Sequence, residues 1–213
     1  MEISMQIDTR EKLAKVRPIV DSLMKTYPEF NEIEITYKKL DLADYLLRNG
    51  DVSFLVERKS MNDMVGTYTK LRERLMEMRL ANDHIGLILE GDYVVHDGQV
   101  CVRENNQWIP RMSYTAFNNY LIHQQTSGLY LMYTGSRTDS LRRLMMTVQY
   151  LPKMVFPSPS IKVGNIQEWL LLLNGLGTGT LKKLQSKYDN PLAALADCSK
   201  WLPKKAKEDF NKW

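Results

Sequence analysis

The sequence predicts a three-layer α/β domain followed by a small all-helical domain. Three features carry this expectation. Up to residue 153, segments with apolar residues at every second position are interleaved with segments whose apolar residues recur at three and four. A proline-rich stretch follows, LPKMVFPSPSIKVG at 151–164. Beyond it the periodicity is helical only. The expected division is therefore an α/β domain at 1–153, a linker at 154–164 and a helical domain at 165–213.

Taken in order, Ile3, Met5 and Ile7 alternate and predict a strand. Leu13, Val16, Val20, Leu23 and Tyr27 fall at helical spacing, and Pro18 must kink that helix or sit in its first turn. Ile33, Ile35 and Tyr37 predict a second strand, and Val52, Phe54 and Val56 a third. Leu71, Leu75 and Met78 mark another helix, and the apolar run HIGLILEG at 84–91 a central strand. In YVVHDGQVCV, Asp97-Gly98 between apolar stretches signals a type I′ hairpin. SYTAFNNYLIHQQ reads as a helix, GLYLMYTG as a strand, and TDSLRRLMMTVQYL as a helix capped by Thr138 or Asp139.

With 44% hydrophobic and 25% charged residues among 213, the chain is long enough to bury a proper core and shows no low-complexity bias. No apolar run approaches the roughly 20 residues that span a bilayer, and no secretory leader is evident in MEISMQIDTREKL, so no membrane association is expected. Two cysteines, Cys101 and Cys198, point to a reducing, intracellular setting without a disulfide framework or zinc spacing. The net charge of +4 is unevenly placed. Residues 1–160 hold 20 Lys/Arg and 20 Asp/Glu, whereas residues 161–213 hold 9 and 5, a modest footprint for a polyanionic partner.

The segment DLADYLLRNGDVSFLVERKSMNDMV carries the chemistry. Glu57 and Lys59 are two apart on a strand and so share a face. A carboxylate can hold a hard divalent cation through oxygen, and a neighbouring lysine can orient water or stabilise charge on a phosphate. Asp44 and Asp8 close the preceding elements, where strand ends converge on one crevice. Taken by themselves, an Asp and an E-x-K are also common as surface charges or cross-strand ion pairs.

The same residues resemble the signature of the XPF-type structure-specific endonucleases, GD-x(n)-ERK-x3-D. Ala43-Asp44 is followed by twelve residues, then Glu57-Arg58-Lys59, three residues and Asp63. IDTRE, with Asp8, Arg10 and Glu11, is similar to the family's opening, LILEGDY to its later core strand, and SYTAFNNYLIHQQTSGLYLMYTGSRTDSLRRLM to its ending. The resemblance implies a restriction-endonuclease-like nuclease domain. It implies Asp44 and Glu57 as main ligands of Mg²⁺ or Mn²⁺, a backbone carbonyl near Arg58 beside them, and Asp8 as a further ligand, direct or through water. Lys59 becomes the catalytic lysine. Glu11 and Arg10 support the site or touch the scissile phosphate, and Arg58 and Asp63 brace it. Two departures stand out. Ala43 replaces the family glycine, which is tolerable if its φ stays negative. The segment after Asp63 lacks the usual Asp-Gly-Arg, leaving Arg72 and Arg74 to contact DNA phosphates, or to form with Arg79 the wet side of a helix.

In the tail, IQEWLLLLNGLGTGTLKKLQSKY at 166–188 resembles a helix-hairpin-helix motif, with Gly175, Leu176 and Gly177 as the hairpin and Gly179 after it. Such glycines let backbone N–H groups approach a phosphate, and Lys182 and Lys183 add charge. A second copy at 191–213 has Lys200 and Leu202 at the glycine positions. The resemblance implies a tandem helix-hairpin-helix domain. It also implies a homodimer through the nuclease domain, for which Leu141, Leu144, Met145 and Val148 offer an apolar stripe. The expected function is metal-dependent cleavage of branched DNA, such as flaps, forks or Holliday junctions, in repair, recombination or replication. A non-catalytic subunit scaffolding a partner nuclease and a DNA-binding accessory are the alternatives. The intact ERK favours an active enzyme.

Overall fold

The computed structural model describes residues 2–156. The linker beyond Phe156, the helix-hairpin-helix reading and the residues Gly175, Leu176, Gly177, Gly179, Lys182 and Lys183 lie outside the described residues.

Strand β1 (Ile3–Ile7) leads to helix α1 (Leu13–Thr26), strand β2 (Glu34–Tyr37), and an antiparallel hairpin of β3 (Tyr45–Asn49) and β4 (Val52–Ser60). Helix α2 (Met61–Ala81) and strand β5 (Ile85–Glu90) follow. Next come β6 (Tyr93–His96), β7 (Gln99–Glu104), β8 (Gln107–Ser113), helix α3 (Tyr114–Thr126), strand β9 (Leu129–Thr134) and helix α4 (Arg137–Tyr150). The main sheet has the order β2-β1-β3-β4-β5-β9, and β6-β7-β8 form a separate antiparallel sheet. Every strand of the main sheet except β3 runs in one direction.

The alternating strands separate two cores. On one face, Met5, Ile7, Tyr45, Leu47, Phe54, Val56, Ile88 and Met132 pack against Val16, Val20 and Leu23 of α1 and Leu141, Leu144, Met145 and Val148 of α4. On the other, Leu55, Leu87, Leu89 and Leu129 meet α2, α3 and the inner side of β7. Three layers result, as the periodicity predicts. No helix among the described residues is long and apolar enough to cross a membrane.

Several expectations change. The α4 stripe offered as a dimer interface is the domain's own core, since Leu141, Leu144, Met145 and Val148 are 0% exposed. Helix α4 is capped by Ser136, whose side chain accepts from the Asp139 N–H, and not by Thr138 or Asp139. Pro18 lies well inside α1. Two strands have no counterpart in the sequence reading. These are β3, joined to β4 through Gly50 at φ 59, and β8, joined to β7 through Asn105 and Asn106 at φ 47 and 64. The hairpin at Asp97-Gly98 is present, with φ 49 and 70.

Candidate active site

The common strand direction gathers chemistry at one edge of the sheet. The C-terminal ends of β1, β4, β5 and β9 lie there together with the start of the antiparallel β3. Asp8, Asp44, Glu57, Lys59, Glu90 and Thr134 are therefore brought to the same edge.

Asp44 and Glu57 are neighbours across the hairpin. Asp44 stands just before β3, whose first residue, Tyr45, pairs with Val56, and its charge acts on Glu57 of β4. The backbone fixes Asp44 on both sides. Its N–H donates to the Val56 carbonyl, at 3.1 Å, and its carbonyl accepts from the Asp8 N–H, at 2.9 Å. The Arg58 backbone N–H donates to Asp44 Oδ2 at 2.8 Å. Burial raises the Asp44 pKa; the Arg58 hydrogen bond opposes this, and the Glu11 charge adds to it. Burial, and then the Asp44 charge, push Glu57 up to about 7, with Arg74 and Lys59 pulling the other way. Arg74 Nε of α2 lies 3.5 Å from Glu57 Oε2, an ion pair without hydrogen-bond geometry.

Two desolvated carboxylates thus share a place, and Glu57 Oε2 is buried without a hydrogen bond. A hard divalent cation suits such a donor pair. Among the described residues, no three or more His, Cys, Asp or Glu come together to hold a metal ion. The candidate set is then two carboxylates. That is the coordination Mg²⁺ commonly takes, keeping waters and accepting substrate phosphate oxygens.

Arg58 points the opposite way. Its side chain lies on the α1/α4 face, 3.0 Å from Glu90 Oε1 and 3.6 Å from Glu11 Oε1. Arg137, the first residue of α4, pairs with Glu11 through Nη1 and lies 3.3 Å from Glu90 Oε2 through Nε. Ser140 donates to Glu90 Oε2 at 2.8 Å, and the Thr134 hydroxyl lies 2.8 Å from that of Ser140.

Compared with known protein families, residues 7–154 match the ERCC4 domain. The chain belongs to the ERCC4-domain family, that of the XPF-type nucleases. The resemblance noted in the sequence is thereby upheld. Among solved structures, XPF from Aeropyrum pernix in complex with DNA is similar at 17% identity and a TM-score of 0.50, over 99% of this chain and 97% of that one. A second structure, XPF from Aeropyrum pernix, gives 18% identity and a TM-score of 0.48, over 98% of this chain and 96% of that one. At such identity the likeness concerns the fold. No curated protein matches the chain.

Within this ERCC4 domain, several residues take places other than those expected. Asp8 is 0% exposed, and both its oxygens are engaged. Oδ1 accepts from Arg10 N at 2.6 Å and Nε at 2.9 Å, while Oδ2 accepts from Arg10 Nη2 at 2.6 Å and Leu40 N at 3.0 Å. The structure does not join it to Asp44 and Glu57 as a third ligand. Arg10, expected at DNA, spends Nε and Nη2 on Asp8 and the Leu40 carbonyl. Chiefly through the Arg10 side-chain hydrogen bond, the Asp8 pKa falls from 3.8 to about 2. A depressed carboxylate stabilises the fold above its unfolded pKa and loses that contribution as pH drops toward the folded value. Asp8→Asn is therefore expected to cost about 1–2 kcal/mol at pH 7, discounted for the half-exposed Arg10. The gap from wild type should close between about pH 4 and pH 2 in chelator-containing melts. A constant gap would remove the ion pair as its cause.

Arg74 reaches Glu57, and Arg79 Nη2 donates to the Gln124 side chain at 3.0 Å, so neither lies on a wet face of α2. Asp63 forms a reciprocal cap with Ser60: the Asp63 N–H donates to Ser60 Oγ at 3.1 Å, and that hydroxyl donates to Asp63 Oδ2 at 2.8 Å. Ala43 sits at φ 66. The negative φ expected of it is not found, and the left-handed backbone that a glycine adopts freely is retained at a cost of roughly 1–2 kcal/mol. Its buried methyl, within the α2/α3 core, offsets part of this. Arg137 and Ser140 are absent from the sequence reading.

Proposed function

We propose that this ERCC4 domain is the catalytic part of a metal-dependent endonuclease that hydrolyses phosphodiester bonds in branched DNA. The observation that carries the reading is the Asp44 carboxylate bound to the backbone N–H of Arg58, between Glu57 and Lys59 on β4, at the end of the sheet where the parallel strands finish. Asp44 and Glu57 hold Mg²⁺ or Mn²⁺, which supplies Lewis acidity toward a phosphate oxygen. Lys59 orients the attacking water or stabilises charge on the phosphate. Arg74, 3.5 Å from Glu57 Oε2, offsets part of the Glu57 charge. The Arg58 amide fixes the Asp44 carboxylate.

DNA is the expected partner, held through its phosphates by the basic tail with Gly175, Leu176, Gly177, Lys182 and Lys183. The sequence carries no evident base-reading motif, so branch preference is expected to rest on DNA shape and flexibility. The XPF complex with DNA supports DNA as the partner, at the level of the shared family. The deciding experiment compares cleavage of forked, flapped, four-way and linear duplexes with Mg²⁺, with Mn²⁺ and with excess chelator. Metal-dependent cutting of branched forms is the expected result. Absence of cleavage under all metal conditions, or equal cleavage in chelator, overturns the reading.

A further inference from the structure

We infer that Arg137 is a positioning residue for the proposed nuclease reaction, holding in place, from behind the sheet, the strand that presents Glu57 and Lys59. The inference rests on the nuclease reading for its kinetic consequences, but not for its structural one. Four charged side chains alternate on the α1/α4 face: Glu11, Arg58, Glu90 and Arg137. Their side chains are 9%, 14%, 15% and 22% exposed, so solvent compensates them poorly. Each carboxylate meets both guanidiniums, and the cluster is balanced at two positive and two negative charges.

Arg58 links the cluster to the site. The Arg58 side chain belongs to this cluster, while its backbone N–H binds Asp44 Oδ2 at 2.8 Å on the other side of the strand. Whatever fixes the Arg58 guanidinium therefore fixes the peptide that aims Asp44 and the two residues flanking it, Glu57 and Lys59. Without Arg137, two carboxylates face one guanidinium, and the cluster relieves the imbalance by moving. Displacements near 1 Å at a reacting centre can cost on the order of 10²-fold in rate. Arg137 is well placed for this role because it opens α4, whose Leu141, Leu144, Met145 and Val148 are locked in the core. Ser140, one turn on, holds Glu90 from the same helix.

The test uses the full chain and compares wild type, Arg137→Met, Glu90→Gln and the double variant. Removing one carboxylate along with Arg137 restores charge balance as a Glu11–Arg58 pair, and glutamine can still accept from Ser140. Arg137→Met should lower kcat by roughly 10- to 100-fold with KM for DNA within about threefold, and should raise the Mg²⁺ concentration for half-maximal rate. The double variant should recover at least about tenfold of kcat, which ties the loss to the charge imbalance rather than to the missing side-chain packing. Activity-independent exchange of the Arg58 amide hydrogen, in metal-free protein, should quicken by at least about tenfold in Arg137→Met and slow again in the double variant. Arg137→Lys keeps the charge and guards against failure to fold. It should lie between the two, because a compact ammonium cannot pair broadly with both carboxylates. Unchanged amide exchange and kcat in Arg137→Met, or a double variant no better than the single, overturns the inference. If wild type cuts no DNA, the nuclease reading fails, and the exchange measurement alone decides the role of Arg137.

Discussion

Replacing Glu57 with alanine is expected to lower DNA cleavage by roughly 10³-fold or more while leaving the domain folded, since loss of a metal ligand removes several kcal/mol of transition-state stabilisation. Glu57 lies near the end of β4, and the strand is held upstream by Phe54 and Val56, both 0% exposed, so truncation there leaves the core intact. The same residue makes the metal-free protein less stable. Burial and the Asp44 charge lift its pKa from 4.5 to about 7. A carboxyl with a raised folded pKa carries no penalty below its unfolded value and a full one above its folded value. Glu57→Gln, which removes the ionisation but keeps the shape, should therefore raise metal-free stability by about 2 kcal/mol at pH 8. The gain should fade through pH 7 and vanish below about pH 4.5. Cleavage rates and chelator-containing melts across pH check both parts. Undiminished cleavage by Glu57→Ala would end the assignment of this edge as the active site.

The second large effect belongs to Lys59. Lys59→Ala should lower kcat by about 10²- to 10³-fold while DNA affinity and metal binding persist. Lys59 stands beside Glu57 on the strand face and lowers the Glu57 pKa. Removing that positive neighbour leaves both carboxylates in place, so cation affinity should hold or rise slightly. Calorimetric metal titration with single-turnover cleavage separates the two effects. A collapse of metal affinity in Lys59→Ala would mean that the lysine organises the ligands instead of acting on the phosphate.

Much of the layer structure was legible because alternation at period two and spacing of three and four report burial directly. Strands β1 and β4 and helices α1 and α4 follow such patterns, while β5 shows as a continuous apolar run. What escaped has physical reasons. Strand β8 carries Pro110 and faces solvent along most of its length, as an edge strand of its sheet can. The α4 stripe was visible as apolar, but periodicity cannot say whether a stripe meets its own sheet or a second chain. Asp8 was legible as an acid at a strand end. Its capture by Arg10 depends on the turn after β1, a local geometry without a sequence signature. Arg74 was readable in principle. It lies three after Leu71 and four before Met78, both buried, so its place on the inward stripe was written in the spacing. Arg137 was not readable, because its partners Glu11 and Glu90 come from distant elements that only the folded sheet brings together.

Strand β4 places Glu57 and Lys59 on one side of the sheet and Arg58 on the other, and that two-sidedness makes parity a design rule for this segment. One residue inserted or deleted between Val56 and Glu57 would turn the carboxylate toward α4 and the arginine toward α2, inverting both clusters while barely altering composition. Two residues inserted there would preserve facing but carry the carboxylate about 6.6 Å along the strand, away from Asp44. Among lineages of such domains, or in a library built on this one, this stretch should therefore drift by substitution with its length fixed. Length variation should collect instead in the turns, such as those at Gly50 and at Asn105-Asn106.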